Sequence, residues 1–335
     1  MMSDDTRAAI VGIAGPALTA AEAALLRAHP PAGVILFRRN IADPAQLRAL
    51  TAELRHVLPA GAVLMVDQEG GRVARLRPPH WLAHPPAGAI GALFARNPAS
   101  GLRAAWLTGA LIGMECAEAG LDTVAAPVLD LRLEGASEVV GDRAYGAAPE
   151  DVARLARAVA AGLLAAGVQP VGKHAPGHGR ARVDSHFALP SVDANDLAAD
   201  LLPFAANADL PWMMTAHIVY RAWDPELPAT LSSRVIGEVI RGRAGFRGVL
   251  VSDDLAMEAL TGLPAERATA ALAAGCDIAL YCPGDAEGTA AVLAAVPALH
   301  QAARARLETA RALATVRRLA LDPARLRAER DGLNL

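Results

Sequence analysis

Eight short apolar runs without polar alternation recur along the chain. They are AAIVGIAG (8–15), GVILFRR (33–39), AVLMVDQ (62–68), DTVAAPVLDL (122–131), PVGKHAP (170–176), WMMTAHIVY (212–220), GVLVSDD (248–254) and DIALYCPG (277–284). A strand buried on both faces reads as such an unbroken run, whereas a half-solvated strand alternates. Longer Ala/Leu-rich stretches lie between the runs. PAQLRALTAELRHVL (44–58), GLRAAWLTGALIGMECAEAG (101–120), EDVARLARAVAAGLLAAG (150–167), ERATAALAAGC (266–276) and residues 298–320 are predicted helices. Eight strand–helix units predict an α/β fold, a single-domain (β/α)8 TIM-type barrel over 1–325, with 326–335 as a loosely held C-terminal tail. An open doubly wound sheet fits less well, because no G-x-G-x-x-G follows the first run.

Composition narrows the function classes. The chain has 335 residues, 53% hydrophobic and 20% charged, with a net charge of −3. No basic run is present and aromatics are only 4%, which argues against a nucleic-acid partner. The N-terminus begins with acids and its apolar run is short and glycine-broken, unlike a signal peptide. No uncharged run approaches the ~20 residues that span a bilayer, so membrane insertion is not expected. Cys116, Cys276 and Cys282 have no paired spacing and read as buried core residues of a reducing compartment. The expected location is cytoplasmic. A closed barrel needs no partner to bury its core, so a monomer is expected.

In such a barrel the chemistry sits at the C-terminal ends of the strands. Five of the eight runs carry unusual polar residues there. Asp67 is followed by Arg72 and Arg75, and Asp130 leads towards Asp142 and Arg143. Lys173 and His174 end the fifth run, His217 lies in the sixth, and Asp253 and Asp254 end the seventh. Folding alone gives no reason for so mixed a ring of carboxylates, cations and imidazoles, so it is read as an active site for a small molecule.

The stretch GKHAPGHGRARVDSHFALP (172–190) holds three of the nine histidines. His174 and His178 have the spacing of a helical metal pair, but Pro176 and Gly177 break the helix, so the stretch is a loop after a strand. A zinc site on His174, His178 and Asp184 stays open, beside a structural reading of His178. Asp184 and His186 are two apart, and in an extended segment they point the same way. A carboxylate that fixes an imidazole's tautomer is what a histidine acid/base needs.

Taken together, GVILFRRNI (33–41), VDQEGGRVARL (66–76), VVGDRAYG (139–146), GKHAPGHG with DSH (172–186), MTAHIVY (214–220) and GVLVSDDL (248–255) resemble the family 3 glycoside hydrolases. Within that family the likeness is to the bacterial β-N-acetylglucosaminidases of peptidoglycan recycling. The resemblance implies removal of non-reducing terminal β-linked N-acetylglucosamine with retention, with no metal and no cofactor. The implied substrate is a small carbohydrate, an N-acetylglucosaminyl muropeptide. It implies Asp253 as nucleophile, His186 as general acid/base and Asp184 as its partner. Asp67, Arg75, Arg143, Lys173 and His174 match residues that hold the sugar. Asp254 is read as an orienting neighbour, an assignment the motif makes because adjacent acids look alike to sequence physics. Ala175 departs from the phenylalanine usual in the family and is expected to loosen packing under Lys173 and His174.

Retaining glycosidases usually pair two carboxyl groups. An imidazole in place of one would not repel phosphate, so a phosphorylase acting on the same glycosides is an alternative. A metal-dependent barrel hydrolase would need ligands at the end of the first run, and IAGPALT has none. A non-catalytic amino-sugar-binding protein would keep Asp67, Arg143 and Lys173 but has no use for Asp253 or a His186–Asp184 dyad.

Overall fold

A computed structural model describes residues 4–183 and 188–333. Eight parallel strands close into a barrel in chain order: β1 (Arg7–Gly12), β2 (Pro31–Leu36), β3 (Val63–Val66), β4 (Thr123–Val124), β5 (Gln169–Ala175), β6 (Trp212–Thr215), β7 (Val249–Asp254) and β8 (Ile278–Tyr281). Each strand pairs with its sequence neighbours, and β8 closes on β1 through Ala9↔Ala279 to Val11↔Tyr281. Around it lie α1 (Ala20–Ala28), α2 (Pro44–Val57), α3 (Ala87–Arg96), α4 (Pro98–Glu118), α5 (Pro149–Ala165), α6 (Ala198–Ala206), the π-helix Val235–Arg243, α7 (Pro264–Ala274), α8 (Ala286–Ala295), α9 (Gln301–Arg317) and α10 (Pro323–Asp331). The barrel expected from the eight apolar runs is the observed fold.

The helices start where local chemistry satisfies their first N–H groups. Thr19 and Glu22 form a reciprocal capping box at α1, and Asp43 accepts from Ala45 and Gln46 at α2 with Pro44 in the first turn. Gly275, at φ +117°, ends α7 in the left-handed conformation. Backbones of α4 and α5 approach so closely that a Cβ on Gly109 would lie 2.1 Å from the Val159 carbonyl oxygen.

Although the strands read as unbroken apolar runs, their side chains still alternate between two cores. Ile10, Ile35, Met65, Val171, Met214, Val251 and Leu280 pack together inside the barrel. Their neighbours Val11, Leu36, Leu64, Met213, Leu250 and Ala279 belong to the layer between sheet and helices. The barrel floor is closed by α9 and the turn before it: Leu299 of that turn and Ala303 and Leu307 of α9 join the interior cluster.

Two expectations change. The run 122–131 pairs as a strand only over Thr123–Val124, and its remainder is extended, bridged to β5 at Val128↔Lys173. The end of the chain is not loose through residue 331. In α10 Leu326 is buried, and Glu329 takes both its oxygens to Arg103 of α4 at 2.6 and 2.7 Å. The polar pattern of RLRAER hid a helix that docks with one apolar contact and one two-pronged ion pair. Among the described residues no helix is long and apolar enough to cross a membrane.

Candidate active site

The inward side-chain rows of the barrel do not stop at the last apolar layer. Val63 and Met65 of β3 are followed, two residues on, by Asp67. Val171 of β5 is followed by Lys173, and Val249 and Val251 of β7 by Asp253. On β2 the row ends in Phe37 and on β8 in Cys282. All five line one cavity of about 320 Å³ at the top of the barrel. Its polar layer is thus the next storey of the core, set by the period of two along each strand.

The charges are paired around Lys173. Its Nζ lies 2.9 Å from Asp67 Oδ1 and 2.6 Å from Glu69 Oε1. Arg75 reaches the other oxygen of Asp67 at 3.1 Å, and Arg143 grips Glu69 through two bonds of 2.8 Å. Burial works against ionisation of both acids, but Lys173 and Arg75 hold the Asp67 carboxyl far below the usual range. Lys173 and Arg143 likewise bring Glu69 to about 2 against its burial. Burial opposes the Lys173 charge, and Asp67 and Glu69 reverse the effect and raise its pKa.

These groups are placed by fully buried polar neighbours. The Gln68 amide accepts from the Arg75 and Leu76 N–H groups at 2.7 and 3.0 Å and donates to the Leu76 carbonyl at 2.9 Å. That folds residues 68–76 back so that Arg75 faces Asp67. Glu69 rides on the same hairpin, which lies flat on residues 84–86. A Cβ on Gly70, at φ +101°, would come within 2.4 Å of the Pro85 carbonyl oxygen. Beside Asp67, at the end of the neighbouring strand β2, the Phe37 ring lies against the guanidiniums of Arg39 and Arg75, 4.9 and 5.3 Å from its centroid.

His174 donates from Nδ1 to Asp130 at 2.7 Å and lines the cavity. Its ring is edge-on to that of His178, with centroids 5.6 Å apart. Burial drives His178 down to about 4, which keeps its imidazole neutral near pH 7. Below Asp253, His217 is wholly buried. Its Nε2 donates to the Asp254 carbonyl at 2.9 Å, and its Nδ1 meets the Thr230 hydroxyl at 2.8 Å.

Geometry separates the two adjacent acids. Asp254 spends its Oδ1 on the backbone N–H groups of Ala256 and Cys282, at 3.0 and 3.1 Å, and burial raises its pKa. Burial also disfavours the Asp253 charge, but His174 and His217 outweigh it and lower the Asp253 pKa below its ordinary value. Of the two, which both line the cavity, Asp253 is the one whose surroundings favour the ionised form.

A cavity lined by carboxylates, cations and an oriented imidazole at the mouth of a (β/α)8 barrel fits hydroxyl-rich ligands. The sequence model of the glycosyl hydrolase family 3 N-terminal domain matches residues 7–319. The chain belongs to glycosyl hydrolase family 3. It is 45% identical over 296 residues to a protein named beta-hexosaminidase from Alkalilimnicola ehrlichii, covering 86% of this chain and 84% of that one. A protein of the same name from Xylella fastidiosa is 42% identical over 281 residues, 82% of each chain. Among solved structures, NagZ from Neisseria gonorrhoeae in complex with N-trifluoroacetyl-D-glucosamine superposes with a TM-score of 0.88 at 31% identity, over the whole of both chains. A family 3 beta-N-acetylglucosaminidase from Paenibacillus sp. gives 0.83 at 32% identity, over 94% of this chain and 62% of that one.

In this family 3 glycoside hydrolase, Asp67, Arg75, Arg143, Lys173, His174 and Asp253 all face the same cavity. His186 and Asp184, the latter also the third ligand of the zinc reading, lie outside the described residues. Among the described residues no group of three His, Cys, Asp or Glu is arranged to hold a metal ion. Ala175 is buried in the sheet–helix layer and does not line the cavity. Glu69 and Asp130 were not among the residues singled out for binding. Glu69 had a signal, being two positions from Asp67 and hence on the same side of an extended segment.

Proposed function

We propose that the chain is a retaining exo-β-N-acetylhexosaminidase that releases non-reducing terminal β-linked N-acetylglucosamine. The observation that carries this reading is the position of Asp253, an ionised carboxylate at the top of the inward row of β7, facing Asp67, Arg75, Arg143, Lys173 and His174 across one cavity. The names of the relatives support the sugar class, and the bound N-trifluoroacetyl-D-glucosamine of the gonococcal neighbour supports an N-acyl hexosamine in the pocket.

The cavity is a dead end. At about 320 Å³ it is near the lower limit for small-molecule sites, and Ile35, Met214 and Leu280 floor it above the filled barrel. Such a shape takes the end of a glycan and excludes a chain threaded through it. In the first step Asp253 attacks the anomeric carbon and forms a glycosyl ester while the bond to the leaving oxygen breaks. His186, oriented by Asp184, gives that oxygen its proton. In the second step His186 takes a proton from water, which displaces Asp253 and restores the β-configuration. The cations and Asp67 hold the sugar hydroxyls throughout. The natural substrate in this reading is N-acetylglucosaminyl-1,6-anhydro-N-acetylmuramic acid with or without its peptide, cleaved by a monomer in the cytoplasm during cell-wall recycling.

Hydrolysis of aryl β-N-acetylglucosaminides by wild type, Asp253→Ala and His186→Ala tests the roles. Asp253→Ala is expected to be inactive. His186→Ala is expected to lose about 10²–10⁴-fold with a poor leaving group and least with a good one. Near-normal turnover by Asp253→Ala would remove it as nucleophile.

A further inference from the structure

We propose that Asp130 is a positioning residue that fixes the tautomer and aim of His174, and so governs the hold on the sugar without touching it. The inference rests on the reading that His174 meets the sugar.

Asp130 is completely buried and does not line the cavity. It reaches His174 because the segment after β4 is zipped to β5. The Leu129 N–H donates to the Lys173 carbonyl at 2.7 Å and the Lys173 N–H to the Pro127 carbonyl at 3.1 Å. That registry sets the next side chain, Asp130, against the next residue of β5. Its two oxygens then do different work. Oδ1 accepts two backbone N–H groups, from His174 at 3.1 Å and His178 at 2.7 Å. Oδ2 faces His174 Nδ1 at 2.7 Å.

A carboxylate held ionised can only accept, so His174 Nδ1 must carry a proton. Burial opposes the Asp130 charge, but His174 and the surrounding donors bring its carboxyl to about 2, so it stays ionised across any working pH. Nε2 is left as the edge of the ring for the cavity that His174 lines. Free imidazole divides its proton between both nitrogens. Here the buried carboxylate removes that freedom before a sugar arrives, which is how a neighbour of a binding group raises affinity.

Asp130→Asn tests this without emptying the site. The two backbone N–H donors still require an acceptor, so the amide oxygen stays on them and the NH₂ turns to the ring. A donor there forces Nδ1 to accept and moves the imidazole proton to Nε2. The ring proton is read by ¹⁵N–¹H correlation NMR, with the His174 signals assigned by their loss in His174→Ala. Expected are a protonated Nδ1 in wild type, a bare Nδ1 in Asp130→Asn, and a loss of about 10- to 100-fold in kcat/KM on an aryl β-N-acetylglucosaminide, carried mainly by KM. The double variant Asp130→Asn/His174→Ala should be no slower than His174→Ala.

A bare Nδ1 in the wild-type ring overturns the proposal, even if no variant folds. So does Asp130→Asn within about twofold of wild type, or a double variant whose losses multiply. If wild type is inert on the glycoside, the hydrolase reading fails instead, and the ring spectra still decide whether Asp130 sets the tautomer.

Discussion

The barrel has a charged network at each end, and the two are built for different ends. At the floor, Asp277 is 1% exposed and saturated. Its oxygens take Arg241 at 2.9 Å, Arg306 at 2.5 Å and the Leu250 N–H at 2.9 Å. These partners come from the π-helix, α9 and β7, so one carboxylate ties three elements under the barrel. No cavity adjoins it among those lined by Asp67 and Asp253. At the mouth, Asp67, Glu69, Lys173, Arg75 and Arg143 also pair among themselves, but around open space, with Asp253 added across the gap. A buried ion cluster is therefore not by itself the mark of a site. What marks the site is that the pairing leaves a dead-end volume and puts an ionised carboxylate beside it.

This contrast is first tested by breaking the floor. Asp277→Ala leaves Arg241 and Arg306 without their carboxylate and should cost about 3–5 kcal/mol of stability. Denaturant unfolding measures the loss, while kcat/KM per folded molecule should stay within a few-fold of wild type. A large fall in kcat/KM at a temperature where the variant is folded would show that the two ends are coupled.

The mouth should respond to acid through His178, which lines the cavity beside His174. The folded His178 pKa, about 4, lies below its ordinary 6.5. Between those values the unfolded chain binds a proton that the folded chain refuses, so stability rises with pH across the window. Its contribution is complete above about 6.5 and is lost as pH falls towards 4, on the order of 3 kcal/mol in all. The wild-type slope of unfolding free energy over pH 4–6.5 should exceed that of His178→Gln. Equal slopes would mean that His178 is not kept neutral by its burial.

Legibility from sequence followed the strength of the local pattern. The eight strands were readable because each is a continuous apolar run, and α2, α4, α5, α7 and α9 because Ala and Leu recur between them. The mouth was readable where a polar residue interrupts such a run, as at Asp67, Lys173 and Asp253. Asp130 stood out as a strand-end acid, but its service to His174 depends on the registry between the 127–129 segment and β5, which no local spacing encodes. Asp253 and Asp254 were equivalent as letters. Both line the cavity, and they part because Asp254 spends an oxygen on the Ala256 and Cys282 N–H groups while Asp253 faces the imidazoles of His174 and His217. Helix α10 was missed because a short polar helix held by Leu326 and Glu329 carries almost no periodic signal.

Glu69 gives the finest test of the comparison, because it is the mouth's nearest equivalent to Asp277. It too is a buried acid that gathers cations from separate elements, Lys173 from β5 and Arg143 from the loop before α5. Glu69→Gln keeps the side-chain shape and one acceptor but removes the charge. Lys173 then has only Asp67 to face, and Arg143 loses its two-pronged partner. Losing charge-assisted bonds of this kind is worth about 1.5–3 kcal/mol. At the floor such a loss should appear as stability alone. At the mouth both cations line the cavity, so the same substitution should also lower kcat/KM about 10- to 100-fold, through KM, in steady-state hydrolysis of an aryl β-N-acetylglucosaminide. If Glu69→Gln only lowers the melting temperature and leaves KM alone, Glu69 is a structural acid like Asp277, and the sugar is held by Asp67 and its partners without it.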